Sequence, residues 1–270
     1  MPAATEWTFD GANAPIVARA WPAPDESSFI AVLVHGYGEH IGRYEHVAAS
    51  LATIGGVVYG LDHLGHGKSG GERVLIENFD GVVEDVHAVV AASRNAHPGL
   101  PVVLIGHSMG GMIGARYAQV HGDVLDAVVL SGAAIGSFDL VSMLLSLDEL
   151  PDIPLDPSIL SRDATVGEAY AADPLVWHGP FKRQTLQGFA DTIAAIGAAG
   201  SLGHLPLMWI HGEDDQLVPI EGTRHGMAAL RGDTFRERTY PGGRHEVFNE
   251  TNKDEVLADV NAFIVDTLNL

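Results

Sequence analysis

Cysteine is absent from the 270-residue chain, which excludes disulfides, thiol nucleophiles and cysteine-based metal sites. Basic residues are scarce: 15 Lys and Arg stand against 35 Asp and Glu, a formal net charge of −20. Such a surface repels nucleic acid and anionic lipid headgroups. No nucleic-acid partner is therefore expected, and any contact with lipid must be driven by apolar surface. Long hydrophobic runs are missing too, and none could span a bilayer. Met1-Pro2-Ala3-Ala4-Thr5-Glu6 has neither a basic n-region nor an apolar h-region, so the expected location is cytoplasmic, at most peripheral at membranes. No Gly-x-x-x-x-Gly-Lys-Ser/Thr loop occurs, since Asp62 stands where the first glycine before Gly67-Lys68-Ser69 would be, which leaves nucleotide binding without that anchor. Internal repeats and low-complexity linkers are also lacking.

Apolar residues make up 46% of the chain and the mean hydropathy is +0.13, ample for a sizeable core. Glu6–Phe9 and Pro15–Trp21 read as an antiparallel edge ribbon, broken by Gly11 and by Pro22-Ala23-Pro24. Phe29–Val34, Gly56–Asp62, Pro101–Ile105 and Leu125–Ser131 are apolar, β-branched runs of the kind buried on both faces of a parallel sheet. Helices are expected at Tyr44–Thr53 and after Asn78, where Phe79, Val82, Val83, Val86, Val89 and Val90 recur at helical spacing. Alternating strands and helices predict an α/β fold with helices on both faces of the sheet. The alternation stops near Gly132 and resumes at Leu205–Gly212, followed by a helix near Glu221–Leu230, a strand at Thr234–Tyr240 and a helix from Asp254 to Leu268. The chain thus reads as a single domain, 1–270, with a core of 1–132 and 204–270 and a helical insertion at 133–203.

The chemistry is concentrated where the Pro101–Ile105 run meets Gly106-His107-Ser108-Met109-Gly110, followed by a helical stretch. Strand, glycine-flanked serine, helix is the context of a nucleophile elbow. A serine hydroxyl is a poor nucleophile unless a base, a group orienting that base, and donors for the developing oxyanion surround it. For the acid, Glu213-Asp214-Asp215 follows the Leu205–Gly212 strand, where α/β sheets place their active groups. Asp215 is preferred, with its neighbour Asp214 left as a rival. Among fourteen histidines, His245 stands out in the glycine-rich loop before the closing helix, ahead of His204, His211 and His225. Serine, acid, histidine is the chain order of an α/β-hydrolase. The oxyanion donors are expected to be the backbone N–H groups of Met109, after the nucleophile, and of Tyr37, in His35-Gly36-Tyr37-Gly38 after the Phe29–Val34 strand. Asp62, His63 and His66, with His35, His40 and His46 nearby in sequence, suggest a metal cluster, but turn and supporting hydrogen-bond roles are preferred because serine hydrolysis needs no metal.

The motifs resemble the monoacylglycerol lipases of the α/β-hydrolase superfamily, the bacterial ones above all. The resemblance is carried by His35-Gly36-Tyr37-Gly38-Glu39-His40-Ile41-Gly42-Arg43-Tyr44, by Asp62-His63-Leu64-Gly65-His66-Gly67-Lys68-Ser69-Gly70-Gly71-Glu72-Arg73 and by the Ser108 elbow. Asp173-Pro174-Leu175-Val176, His211-Gly212-Glu213-Asp214-Asp215 and His245-Glu246-Val247-Phe248-Asn249-Glu250 extend it. It implies an α/β-hydrolase fold and a triad of Ser108, Asp215 and His245, which favours Asp215 over Asp214. It also implies oxyanion donors at Tyr37 and Met109, no cofactor and no metal, and a cap formed by the insertion over the pocket. Tyr37 is larger than the residue usual at that position in this family and is expected to narrow the pocket mouth. The implied activity is hydrolysis of monoacylglycerols to glycerol and fatty acid. A carboxylesterase or lysophospholipase of other preference, and a non-catalytic ligand-binding relative, are the alternatives. Leu140, Val141, Met143, Leu144, Leu145 and Leu147 give the cap an apolar helix able to pack inward, line an acyl site or touch a lipid surface.

Overall fold

The computed structural model describes residues 4–23, 26–152 and 155–270; Met1-Pro2-Ala3 and Pro24, used above, lie outside the described residues. Edge strands β1 (Thr5–Asp10) and β2 (Pro15–Ala20) pair antiparallel. Then follow β3 (Phe29–Val34), β4 (Gly56–Leu61), β5 (Val102–His107), β6 (Ala127–Ser131) and β7 (Leu207–Gly212), each buried along its whole length, and β8 (Phe235–Tyr240). Among the described residues they form an eight-stranded sheet in the order β1-β2-β4-β3-β5-β6-β7-β8. From β4 to β8 the neighbours run parallel. The open β8 edge carries exposed Arg236, Glu237 and Arg238, charges that discourage pairing with another chain.

Because successive side chains of a strand point to opposite faces, the apolar runs split into two cores. Ile30, Val32 and Leu104 face one side, packed with helices α2 (Phe79–Ala96) and α3 (Met109–His121) through Val82, Val86, Met112 and Tyr117. Leu33, Ile105 and Ile210 face the other, packed with α1 (Glu45–Ala52) and α8 (Lys253–Leu268) through Leu51 and Phe263. Asn78 caps α2 by accepting from the Asp80 N–H at 2.8 Å, as its place before the apolar run predicts.

Between β6 and β7 lie α4 (Asp139–Leu145), α5 (Ala164–Ala172) and α6 (Arg183–Ala199); α7 (Ile220–Leu230) follows β7. The 133–203 stretch is not of one kind. Helix α6 joins the helical layer on the sheet: its Phe189 meets Phe79 of α2 edge to face, and Gln119 of α3 donates to the carbonyls of Ile196 and Gly200 at 2.9 and 2.8 Å. The part carrying α4 and α5 lies over the strand ends instead, pinned at two places. The Glu246 N–H donates to the Leu160 carbonyl at 2.8 Å, and Arg162 pairs with buried Glu250 at 2.8 Å. At the other place, the Trp177 N–H donates to the Gly38 carbonyl at 2.7 Å. Among the described residues no helix is long and apolar enough to cross a membrane.

Candidate active site

The turn from β5 into α3 forces Ser108 to φ 55° and ψ −118°, a strained conformation for a non-glycine residue that costs on the order of 1–3 kcal/mol. The surroundings hold it there. The Ser108 N–H donates to the Ser131 carbonyl at 2.8 Å, and its own carbonyl accepts from Gly111, Met112 and Ala134. Glycine is required at 110 because a Cβ there would overlap the Val34 and His35 carbonyl oxygens. The strain thus follows from packing α3 tightly against β3.

At the end of β7 the chain turns and buries Asp215, while Asp214 beside it stays exposed. That separates two neighbours that spacing could not. The carboxylate of Asp215 is fully occupied: Oδ1 accepts from the N–H groups of Leu217 and Val218 at 2.9 and 2.8 Å. Its Oδ2 lies 2.7 Å from His245 Nδ1 and 3.2 Å from His211 Nε2. A carboxylate only accepts, so Nδ1 of His245 carries the hydrogen, and Nε2 is free to accept from Ser108 Oγ at 2.8 Å. Ser108, Asp215 and His245, from the ends of three strands, therefore meet in one hydrogen-bonded chain. His204 is exposed on the surface and pairs with Asp233, and His225 is exposed on α7.

Burial works against both ionic forms here, and the neighbours overrule it. Desolvation would raise Asp215, but the charge and hydrogen bonds of His245 and His211 hold its carboxyl below the ordinary range. Desolvation would lower His245, but Asp215 raises it above the ordinary imidazole value. The site is thus set up to stabilise an imidazolium at His245. His107, 4.8 Å away ring to ring, is driven by burial and by His245 down to about 4 and stays neutral.

His211, a weaker candidate for the base by its sequence position, lies behind the acid. Trp209 Nε1–H donates to its Nδ1 at 3.2 Å, which leaves Nε2–H to face the Val218 carbonyl at 2.8 Å and Asp215. The spacing of four between His211 and Asp215 was the available signal. A second group went unread. Arg43 donates to Glu39 at 2.6 Å and to both oxygens of Glu246 at 2.8 Å, and lies 5.1 Å from the Tyr170 ring centroid. Glu39 also accepts from the Gly36 N–H and the Tyr44 hydroxyl, each at 2.7 Å. Burial would raise Glu39, but Arg43, His107 and the hydrogen bonds from Gly36 and Tyr44 together hold it below the ordinary carboxyl value.

Met109 is the first residue of α3, where an N–H has no partner within the helix. It and Tyr37, on the loop after β3, flank the serine from the two expected elements. Asp62 accepts from the N–H groups of Ile41 and Lys68, both at 2.8 Å, and so fastens two loops. His66 faces the Leu64 carbonyl at 2.9 Å and His46 the Phe248 carbonyl at 2.8 Å. Among the described residues no group of three or more His, Asp or Glu is placed to hold a metal.

Ser108 and His245 open into a cavity of about 460 Å³ lined mainly by apolar side chains, among them Leu144, Leu160, Trp177, Phe181 and Phe189. The Tyr37 ring lines it too, stacked on Phe181 at 4.8 Å and 18°. No Lys or Arg lines it among the described residues.

Comparison with known proteins agrees with this geometry. The family described as "Serine aminopeptidase, S33" matches residues 25–252. The chain is 40% identical over 265 residues to the monoacylglycerol lipase of Mycolicibacterium smegmatis, covering 94% of each. It is 29% identical over 262 residues to human monoglyceride lipase, covering 92% of this chain and 86% of that one. A carboxyl esterase from Bacillus coagulans, solved in complex with glycerol, superposes with a TM-score of 0.83 at 24% identity, covering 99% of this chain and 100% of that one. The chain belongs to the serine aminopeptidase S33 family of α/β-hydrolases and, within it, to the monoacylglycerol lipases.

Proposed function

We propose that this protein is a carboxylic ester hydrolase that cleaves monoacylglycerols to glycerol and free fatty acid, with Ser108, His245 and Asp215 as its catalytic triad. Ser108 Oγ attacks the ester carbonyl as His245 Nε2 takes its proton, and Asp215 stabilises the resulting imidazolium. The N–H groups of Tyr37 and Met109 hold the oxyanion. His245 then protonates the departing glycerol oxygen. Water enters, gives its proton to His245, and releases the fatty acid from Ser108. The observation that carries this reading is the chain of 2.8 and 2.7 Å contacts from Ser108 through His245 to Asp215, opening on an apolar cavity.

The lining argues for a neutral head group. Of the carboxylates on the cavity wall, Glu39 and Glu246 are paired with Arg43, and Asp156 accepts from the Ser158 N–H. No cation among the described lining residues faces a phosphate. The α4–α5 region would act as the cap, and its Met143 and Leu147, 53% and 40% exposed, would touch the lipid surface that carries the substrate.

The test is product release from monoolein, diolein, triolein, lysophosphatidylcholine and leucine p-nitroanilide. Release of fatty acid chiefly from monoolein supports the proposal. Rapid turnover of lysophosphatidylcholine or short p-nitrophenyl esters with none of monoolein moves the function to another esterase. Turnover of the anilide alone moves it to a peptidase.

A further inference from the structure

We propose that His35 is a positioning residue for the reaction: its ring fixes the Gly36–Tyr37 peptide so that the Tyr37 N–H faces the oxyanion site. This rests on the hydrolase reading above. His35 is fully buried, does not line the cavity and touches no substrate. Its Nδ1 lies 2.8 Å from the Gly36 carbonyl oxygen, and its Nε2 lies 3.0 Å from the His63 backbone nitrogen, which donates to it. The two contacts settle the tautomer. A carbonyl only accepts and a backbone N–H only donates, so His35 carries its hydrogen on Nδ1 and is neutral.

The Gly36 carbonyl belongs to the same peptide group as the Tyr37 N–H, and in a trans peptide the two point in opposite directions; no cis peptide occurs among the described residues. Anchoring the oxygen on the His35 side therefore aims the hydrogen at the other side. The preceding peptide is held as well, since the Gly36 N–H donates to Glu39 Oε1 at 2.7 Å. A hydrogen bond to the carbonyl also polarises the peptide and strengthens its N–H as a donor. The pocket around the ring protects this state. His63 lies tilted against the ring at 4.2 Å and His66 at 5.5 Å, while burial, then the charge of His66, keeps the imidazole well below its ordinary value. A second hydrogen, on Nε2, would point at the His63 N–H and break the clamp.

The test compares His35→Gln with His35→Asn. The asparagine amide can stand in for Nδ1–H and keep the bond to the Gly36 carbonyl, whereas glutamine reaches only the Nε2 position. On monoolein, His35→Gln should lower kcat by roughly 10²-fold, the scale of a lost oxyanion donor, with KM within a few-fold. His35→Asn should recover at least tenfold of that. Affinity for a boronic acid, which forms a tetrahedral adduct on the serine, should fall in parallel, while affinity for the ether 1-O-alkylglycerol stays constant. Equal kcat in wild type and His35→Gln, or equal loss of ether and boronate binding, overturns the positioning role. Should either variant fail to fold, the wild type decides: nitrogen NMR must show His35 as the neutral Nδ1–H tautomer at pH 7, and the Nε2–H form overturns the proposal. Absence of turnover in the wild type would overturn the hydrolase reading instead, and the tautomer measurement still decides the clamp.

Discussion

His40 and Asp173, 133 residues apart in sequence, meet at 2.8 Å and join the loop that carries Tyr37 to the segment over the cavity. The Trp177 N–H makes the same connection beside them, to the Gly38 carbonyl. The loop that carries Tyr37 and the roof of the pocket are thus directly connected.

Cutting that link should cost rate as well as stability. A partly exposed pair of this kind is worth about 1 kcal/mol. Asp173→Ala is therefore expected to lower Tm by about 2–4 °C and kcat/KM about fivefold. Asp173→Asn has a single amide oxygen to accept from either His40 or the Leu175 N–H, which Asp173 serves with separate oxygens, and should recover only part of both. Thermal melts and initial rates on monoolein read the difference.

The pH profile follows from His245. As the proposed base, His245 must be neutral to take the serine proton, and Asp215 raises its pKa above the ordinary imidazole value. Activity should therefore fall as pH drops, with the acid limb of kcat/KM centred above about 6.5. Asp215→Asn removes the group that raises it, leaving burial to act. Its acid limb should move to lower pH while kcat falls by about 10⁴. An unmoved limb would mean that another group titrates.

Arg43 is the counterion of two buried carboxylates. Arg43→Met leaves Glu39 and Glu246 unpaired, at a cost on the order of 3–5 kcal/mol. The sign with pH is specific. In the wild type Glu39 is lowered, so its stabilisation is present above the unfolded carboxyl pKa and is lost only as pH falls through the lowered value. Without Arg43, burial raises the Glu39 carboxyl, and the penalty grows as pH rises. The Tm deficit of Arg43→Met should be larger at pH 8 than at pH 5.

In the proposed mechanism Tyr37 contributes its backbone to the reaction. Its ring lines the pocket and stacks on Phe181. Tyr37→Ala should leave kcat on short esters within about threefold while changing KM for long-chain monoacylglycerols, the pattern of a lost binding contact. A collapse of kcat on both would show that the ring supports the loop itself.

The parts legible in the sequence are those set by local pattern. β3, β5 and β7 announce themselves as apolar runs because both faces are buried, and the Ser108 turn because only glycine fits at 110. The Arg43–Glu246 pair spans 203 residues, and no periodicity or spacing encodes such a contact. Helix α5 buries little beyond Tyr170, so it leaves no apolar stripe to read. Helix α6 follows the break in alternation and so reads as part of the insertion, yet its Phe189 packs on Phe79 of α2 and its C-terminal carbonyls accept from Gln119 of α3. Asp214 and Asp215 differ in burial alone, which depends on the fold of the loop.

The most direct measurement is fatty-acid release from monoolein by the wild type and by Ser108→Ala, with both shown folded by their melting curves. Steady release by the wild type and a loss of roughly 10⁶-fold in the variant are expected, the scale seen when a triad serine is removed. Release by Ser108→Ala at a rate near that of the wild type would contradict the proposed mechanism.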